Sequence, residues 1–242
     1  VGEKKRTAVF WDLDDTLYDQ MIPFRKAMEE AGGLRAEEQE WIHRFRRFRY
    51  FSDLLWPDYL SGRLELTRTR ELRWERMLEE AGLPGGPGLA ALLQQAYIDR
   101  QYDIEPNSGT MELLERLVEE GRTVGIITNG PETHQMKKIR ALGLDRLLPE
   151  RRFFISDAVG LAKPDPKLFR HVNAATGTEA ADSVYIGDSW ENDVAGALAA
   201  GWNVCWYNPR GRRPEPGPGP TLAFADFGEL VPLLLGSSGS DE

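Results

Sequence analysis

The chain has little of several things, and each scarcity removes a class of protein. Its 242 residues include a single cysteine, Cys205, and one thiol forms no internal disulfide, so a packed core must hold the fold. Cys205 lies in the apolar run Val204-Cys205-Trp206 and reads as part of that core. Histidine is almost as scarce, and His43, His134 and His171 show neither metal-ligand nor triad spacing. No apolar stretch approaches the ~18 residues of a membrane span. Val1 to Thr7 is polar and basic with no signal-peptide core behind it, so cytoplasm is the expected compartment. Positive charge is in deficit, with 30 Lys and Arg against 39 Asp and Glu, a net charge of -9. That field repels phosphate backbones and anionic lipid surfaces, so neither nucleic acid nor membrane is an expected partner. A small anionic molecule is not excluded, because local donors and a metal ion overturn the global sign inside a cleft.

What is present is ordinary globular material, 41% hydrophobic and 29% charged, long enough for one large domain or one domain carrying a second. Short apolar runs end abruptly in polar residues, as buried parallel strands do at a sheet's carboxyl edge. Ala8-Val9-Phe10-Trp11 stops at Asp12, Val124-Gly125-Ile126-Ile127 at Thr128, Phe153-Phe154-Ile155 at Ser156, and Val184-Tyr185-Ile186 at Gly187-Asp188. Asn203 to Tyr207 is a fifth run. Between them lie helical patterns over Met111 to Gly121, Thr133 to Gly143, Lys167 to Thr176 and Asp193 to Gly201. The alternation predicts an α/β fold, a mainly parallel sheet sandwiched by helices, with ligands beyond the carboxyl ends of the strands. Residues 17–105 break the pattern with helical periodicity and predict an inserted all-helical domain, leaving 1–16 and 106–242 as the core. Within it, Leu64 to Ala81 and Leu89 to Arg100 are helix candidates around the breaker Pro84-Gly85-Gly86-Pro87-Gly88. Pro209 to Pro220 predicts an exposed loop, followed by a last strand and helix, and Gly236 to Glu242 a frayed end.

Four strand ends carry chemistry. In Phe10-Trp11-Asp12-Leu13-Asp14-Asp15-Thr16-Leu17 a strand delivers carboxylates into one turn, which reads either as a helix cap or as a site for a hard divalent cation. Ile126-Ile127-Thr128-Asn129-Gly130-Pro131 ends a strand in a hydroxyl and an amide and opens a helix with proline at its first position, offering free N–H groups to an anion; taken alone it is also ordinary turn chemistry. Gly160-Leu161-Ala162-Lys163-Pro164-Asp165-Pro166 sets a lysine in a rigid loop able to hold an ammonium inward, though a lone lysine is usually solvated. Ile186-Gly187-Asp188-Ser189-Trp190-Glu191-Asn192-Asp193 again ends in carboxylates, with a glycine permitting close backbone approach, or with Asn192 or Asp193 as a helix cap.

Together and in this order, the quartet resembles the haloacid dehalogenase-like hydrolase superfamily, whose motifs are Asp-x-Asp-x-Thr, a strand-terminal Ser/Thr, a lysine, and Gly-Asp-x-x-x-x-Asp. The resemblance spans essentially the whole chain. It implies a Rossmann-like core with a helical cap and a phosphatase acting on small phosphorylated metabolites. It implies Asp12 as nucleophile through an aspartyl-phosphate and Asp14 as general acid and base. It further implies Mg²⁺ held by Asp12, the Asp14 carbonyl and Asp188, with Asp193 in the outer shell or a direct ligand. Thr128, the Asn129 N–H and Lys163 would bind the phosphoryl group, and Thr16 would steady the Asp14 loop. The acid at Asp14 separates the chain from members that cleave carbon–halogen or carbon–phosphorus bonds. Leu55-Trp56-Pro57-Asp58-Tyr59-Leu60-Ser61-Gly62, Gly125-Ile126-Ile127-Thr128-Asn129-Gly130 and Gly187-Asp188-Ser189-Trp190-Glu191-Asn192-Asp193 are similar to pyrimidine 5'-nucleotidases with a helical cap, which implies a nucleoside 5'-monophosphate substrate. The N-acylneuraminate-9-phosphatase branch is also similar, phosphoglycolate phosphatases more distantly, and a phosphomutase is the reading of another class. Trp56 and Tyr59 are placed to stack on a base or to pack the cap. In Arg44-Phe45-Arg46-Arg47-Phe48-Arg49-Tyr50-Phe51 the phenylalanines recur as a buried stripe, which leaves the arginines for solvent or an anionic substrate.

Overall fold

A computed structural model describes residues 8–236, without the side chains of Trp56 and Leu60. The expected fraying after Gly236 and the role of Trp56 therefore lie outside the described residues. The chain divides into two compact units, one running through Asp19 and resuming at Glu105, the other spanning Gln20–Ile104. The division leaves Leu17, Tyr18 and Asp19 with the first unit and not the second. Backbone and side chain of Asn107 hold this segment, through Leu17 O at 2.7 Å and Thr16 O at 2.8 Å.

The first unit is built on a six-stranded sheet of order β3-β2-β1-β4-β5-β6, every pair parallel. Its strands are β1 (Ala8–Trp11), β2 (Thr123–Thr128), β3 (Phe153–Ile155), β4 (Ser183–Gly187), β5 (Asn203–Tyr207) and β6 (Leu222–Phe224). Strands β1 and β4 are buried on both faces, which is why they read as continuous apolar runs. The strand order reverses at β1, and open parallel sheets bind ligands in the crevice at such a switch point. Register makes this concrete. Trp11 pairs with Ile126 on one side and Ile186 on the other, so Asp12, Thr128 and Asp188 leave the sheet at one edge within a residue of the same level. Phe10, Phe169, Tyr185, Trp202 and Trp206 pack one core beside the sheet. Cys205 is buried.

Helices Thr110–Glu119, Glu132–Ala141 and Pro166–Thr176 match the periodic segments closely. The fourth does not: Trp190–Ala195 forms a π-helical turn before a short α-helix, Gly196–Ala199. Its cap is Ser189, whose side chain accepts from the Asn192 N–H at 3.3 Å, while Asn192 and Asp193 lie inside the turn. Pro131 stands at the cap position, one residue before the helix it was expected to open. The loop after β5 has no regular structure and is mostly exposed, yet Arg210 and Arg212 turn inward from it. The last strand is β6, and a helix, Val231–Leu235, follows it.

The second unit consists of α1 (Met21–Glu30), α2 (Glu38–Leu60), α3 (Leu66–Glu80) and α4 (Pro87–Arg100). α4 begins two residues before its expected start because Pro87 occupies its first turn, where the missing N–H costs nothing. Phe45, Phe48 and Phe51 are buried with Phe24, Trp41 and Trp74 in an aromatic core, so the stripe is packing. The arginines between them divide. Arg46 is exposed, but Arg44 is buried, its guanidinium 5.2 Å from the Trp41 ring and paired to Glu40 at 2.9 Å. No helix among the described residues is long and apolar enough to cross a membrane.

Candidate active site

The site begins where β1 ends. Asp12 continues the strand, its N–H donating to Ile186 O at 2.8 Å, and the chain then turns sharply through Asp15, whose φ of 60° is left-handed. A non-glycine residue there is strained, and such strain persists only where the surroundings over-determine it. Thr16, fully buried, donates to Asp12 Oδ2 at 3.3 Å. It therefore ties the turn that carries Asp14 back to Asp12.

Lys163 arrives from the loop before helix Pro166–Thr176 and spends its three ammonium protons inside the site. Its Nζ donates to Asp12 Oδ1 at 2.5 Å, Asp193 Oδ1 at 2.7 Å and Tyr185 Oη at 2.9 Å. The lysine is buried, not solvated. Asn129 fixes its backbone from both sides, donating to Lys163 O and accepting from Lys163 N, each at 2.9 Å. Tyr185, buried in β4, donates its own hydroxyl hydrogen bond to Ile127 O at 2.9 Å. Burial alone would lower the Lys163 pKa, but Asp12 and Asp193 raise it well above the usual lysine range.

Asp193 is fully buried, with Oδ2 accepting from the Ser189 N–H at 2.8 Å. Its closeness to β4 requires Gly187, where an added Cβ would lie 2.5 Å from the Asp193 carboxylate. Asp188 sits at the same edge, and ligand oxygens of Asp12, Asp188 and Asp193 all lie within 4.8 Å of one another. Burial pushes Asp12 up, Lys163 pulls it down, and Asp193, Asp188 and Asp14 push it up again, leaving it well above the carboxylate range. Burial and Asp15 push Asp188 up to about 7, although Arg212 draws it the other way. Such crowding is what a divalent cation relieves, so the residues present fit a metal site.

Asp14 points into a different set of partners. Oδ1 accepts from Tyr18 Oη at 2.5 Å and Lys138 Nζ at 2.6 Å, and Oδ2 from Gln135 Nε2 at 2.8 Å. Burial would raise its pKa, but the Lys138 ammonium and these hydrogen bonds hold it well below the usual range. Gln135 Nε2 also lies 2.5 Å from Thr128 Oγ1 and 3.1 Å from Asn129 O, tying the end of β2 to Asp14. Two N–H groups around the helix start are taken: Gly130 N donates to Ser156 Oγ at 3.0 Å and Glu132 N to Asp157 Oδ2 at 3.1 Å.

Thus Asp12, Lys163, Asp188 and Asp193 converge, and Asp14, Thr128 and Asn129 join them through Gln135 and the Lys163 backbone. Sequence reasoning missed Tyr18, Gln135, Lys138, Tyr185 and Arg212. The available signal was polar residues on buried faces: Gln135 and Lys138 share a helix face with buried Ile139 and Leu142. Arg212 Nη2 donates to Asp188 Oδ2 at 2.6 Å and to Asp188 O at 2.7 Å, from a loop whose composition gave no such sign.

A family model described as haloacid dehalogenase-like hydrolase matches residues 7–201. The chain belongs to that family. It is 28% identical to pyrimidine 5'-nucleotidase YjjG of Escherichia coli, over 93% of this chain and 96% of that one. It is 31% identical to a phosphoserine phosphatase of Thermus thermophilus, over 90% and 95%. The crystal structure of the HAD-hydrolase YfnB of Bacillus subtilis bound to magnesium superposes with a TM-score of 0.71 at 24% identity, covering 96% and 99%, and shows the same fold. This member of the haloacid dehalogenase-like family is a phosphoric monoester hydrolase.

Proposed function

We propose that the chain hydrolyses small phosphomonoesters in two in-line displacements through an aspartyl-phosphate on Asp12, with Mg²⁺. The observation that carries this reading is the Lys163 ammonium shared between Asp12 and Asp193 at 2.5 and 2.7 Å, at the strand edge that also bears Asp188. In the first displacement an Asp12 oxygen bonds to phosphorus, the ester P–O bond breaks, and the leaving oxygen takes a proton from Asp14. In the second, Asp14 takes a proton from water, the water oxygen bonds to phosphorus, and the Asp12–phosphorus bond breaks, releasing phosphate. Asp14 is ionised in the arrangement seen, ready for the second step. It serves the first only after turning from Lys138 and gaining a proton. Thr128 and Lys163 donate to the phosphoryl oxygens, and removing one such donor typically costs ~3 kcal/mol of barrier.

Asp12, Asp188 and the Asp14 carbonyl would hold Mg²⁺. Asp193, whose oxygens accept from Lys163 and Ser189, would stand in the outer shell or bind the ion directly. The ion supplies charge neutralisation between Asp12 and the incoming dianion. The residues between Gln20 and Ile104, a helical cap in this reading, would choose the substrate. A nucleoside 5'-monophosphate follows from the nucleotidase relative and a carboxylate-bearing ester from the phosphoserine phosphatase relative.

A phosphate-release screen over nucleoside monophosphates, sugar-acid phosphates, phosphoglycolate and phosphoserine, with Mg²⁺ and with chelator, tests both. Asp12→Asn is expected to lose roughly a thousandfold or more in kcat. A wild-type rate in that variant refutes the nucleophile. Isomerisation without net phosphate release would make the chain a phosphomutase.

A further inference from the structure

Among the described residues, no carboxylate of the helical unit balances one of its arginines. Arg73, on α3 and half-buried, lies with its guanidinium 4.3 Å from the Phe48 ring and 5.4 Å from the Tyr97 ring. Its Nη1 donates to Ser52 Oγ at 3.1 Å and its Nη2 to Gln94 Oε1 at 3.0 Å, an oxygen that also accepts from Trp74 Nε1 at 3.1 Å. Both partners are neutral. Nε is buried with no hydrogen-bond partner among the described residues, so much of the donor capacity of the guanidinium fork is unspent.

Two more arginines stand beside it. Arg70 stands one turn earlier on the same face of α3, and Arg49 one turn before Ser52 on α2. Burial draws Arg73 down to about 10; Tyr97 opposes this, while Arg49 and Arg70 add to it. On the same unit Arg47, Arg63, Arg68 and Arg100 each hold a carboxylate. Arg70 and Arg73 hold none among the described residues. As packing this is unfavourable, since a leucine or methionine beside Phe48 would fill the space without a desolvated charge. What the arrangement does offer is a planar fork between two aromatic rings, suited to an oxyanion.

We propose that Arg73, with Arg70 and Arg49 beside it, forms an oxyanion-binding site of the helical unit, taking a carboxylate or phosphate group. The oxyanion is a free carboxylate or phosphate, and the site lies wholly within the helical unit.

The test uses the full chain and measures the melting temperature of wild type, Arg73→Gln and Arg70→Gln in sodium sulfate, phosphate and acetate against sodium chloride at constant ionic strength; the Arg70 variant keeps the test open if the more buried site does not tolerate change. The oxyanions are expected to raise the wild-type melting temperature by roughly a few degrees more than that of either variant. Any rise common to all three proteins belongs to the phosphoryl site or to the solvent. Equal rises in variants with wild-type circular dichroism overturn the inference, whether or not the chain hydrolyses any ester.

Discussion

Asp188 shows most plainly how single residues are loaded in this site. Its folded pKa of about 7 lies above the ~3.9 of an unfolded aspartate. Between those values the fold binds more protons than the unfolded chain, so this group makes the metal-free protein lose stability as pH rises from about 4 to about 7. Asp14 has the opposite sign: its depressed pKa contributes stability above about pH 4 that is lost in stronger acid. Asp188→Asn is therefore expected to raise the melting temperature of chelator-treated protein by roughly a few degrees at pH 8 and by less at pH 5. Scanning calorimetry at the two pH values checks this, and a larger gain at pH 5 would contradict it. For the same reason Mg²⁺ should stabilise wild type more at pH 8 than at pH 5, since its ligands must be deprotonated.

Among elements, the connections after the strands carry the site, and Asn129 links two of them. Its side chain satisfies both the N–H and the carbonyl of Lys163, so the end of β2 sets the height at which the ammonium meets Asp12. Asn129→Ala leaves both groups unpaired, an expected loss of about 1–3 kcal/mol. A misplaced ammonium should also lower kcat roughly tenfold to a hundredfold. Urea unfolding and steady-state kinetics measure the two effects, and a stability loss with an unchanged kcat would mean that Lys163 finds its place without the clamp. The strands themselves were legible because burial on both faces forces unbroken apolar runs. The π-helical turn at Trp190–Ala195 was not, because one extra residue per turn leaves no periodic mark in so short a segment. Nor was the inward turn of Arg212, since a loop rich in proline and glycine has no period from which direction can be read.

At the scale of the whole molecule, the two units have separate cores. One packs Phe10, Phe169 and Trp202 beside the sheet; the other stacks Phe24 on Trp74 at 5.2 Å and sets Phe48 4.3 Å from Trp74. Phe48→Ala empties the second core and is expected to cost about 3–5 kcal/mol. Because the loss is confined to one set of contacts, hydrogen exchange should quicken in α1–α4 while β1, β2 and β4 keep their protection. Equal loss of protection in the strands would show a single cooperative unit.

The strands, the inserted helices and the residues standing at the strand ends followed from the sequence alone, because burial and period are local properties. The order of the strands in the sheet, register and partners did not. Which carboxylate Lys163 reaches, why Asp14 is held by Tyr18, Gln135 and Lys138, and how Arg73 comes to lie among neutral partners are decided by side chains far apart in the chain. Those meetings are set by packing in three dimensions, and no spacing along one dimension encodes them.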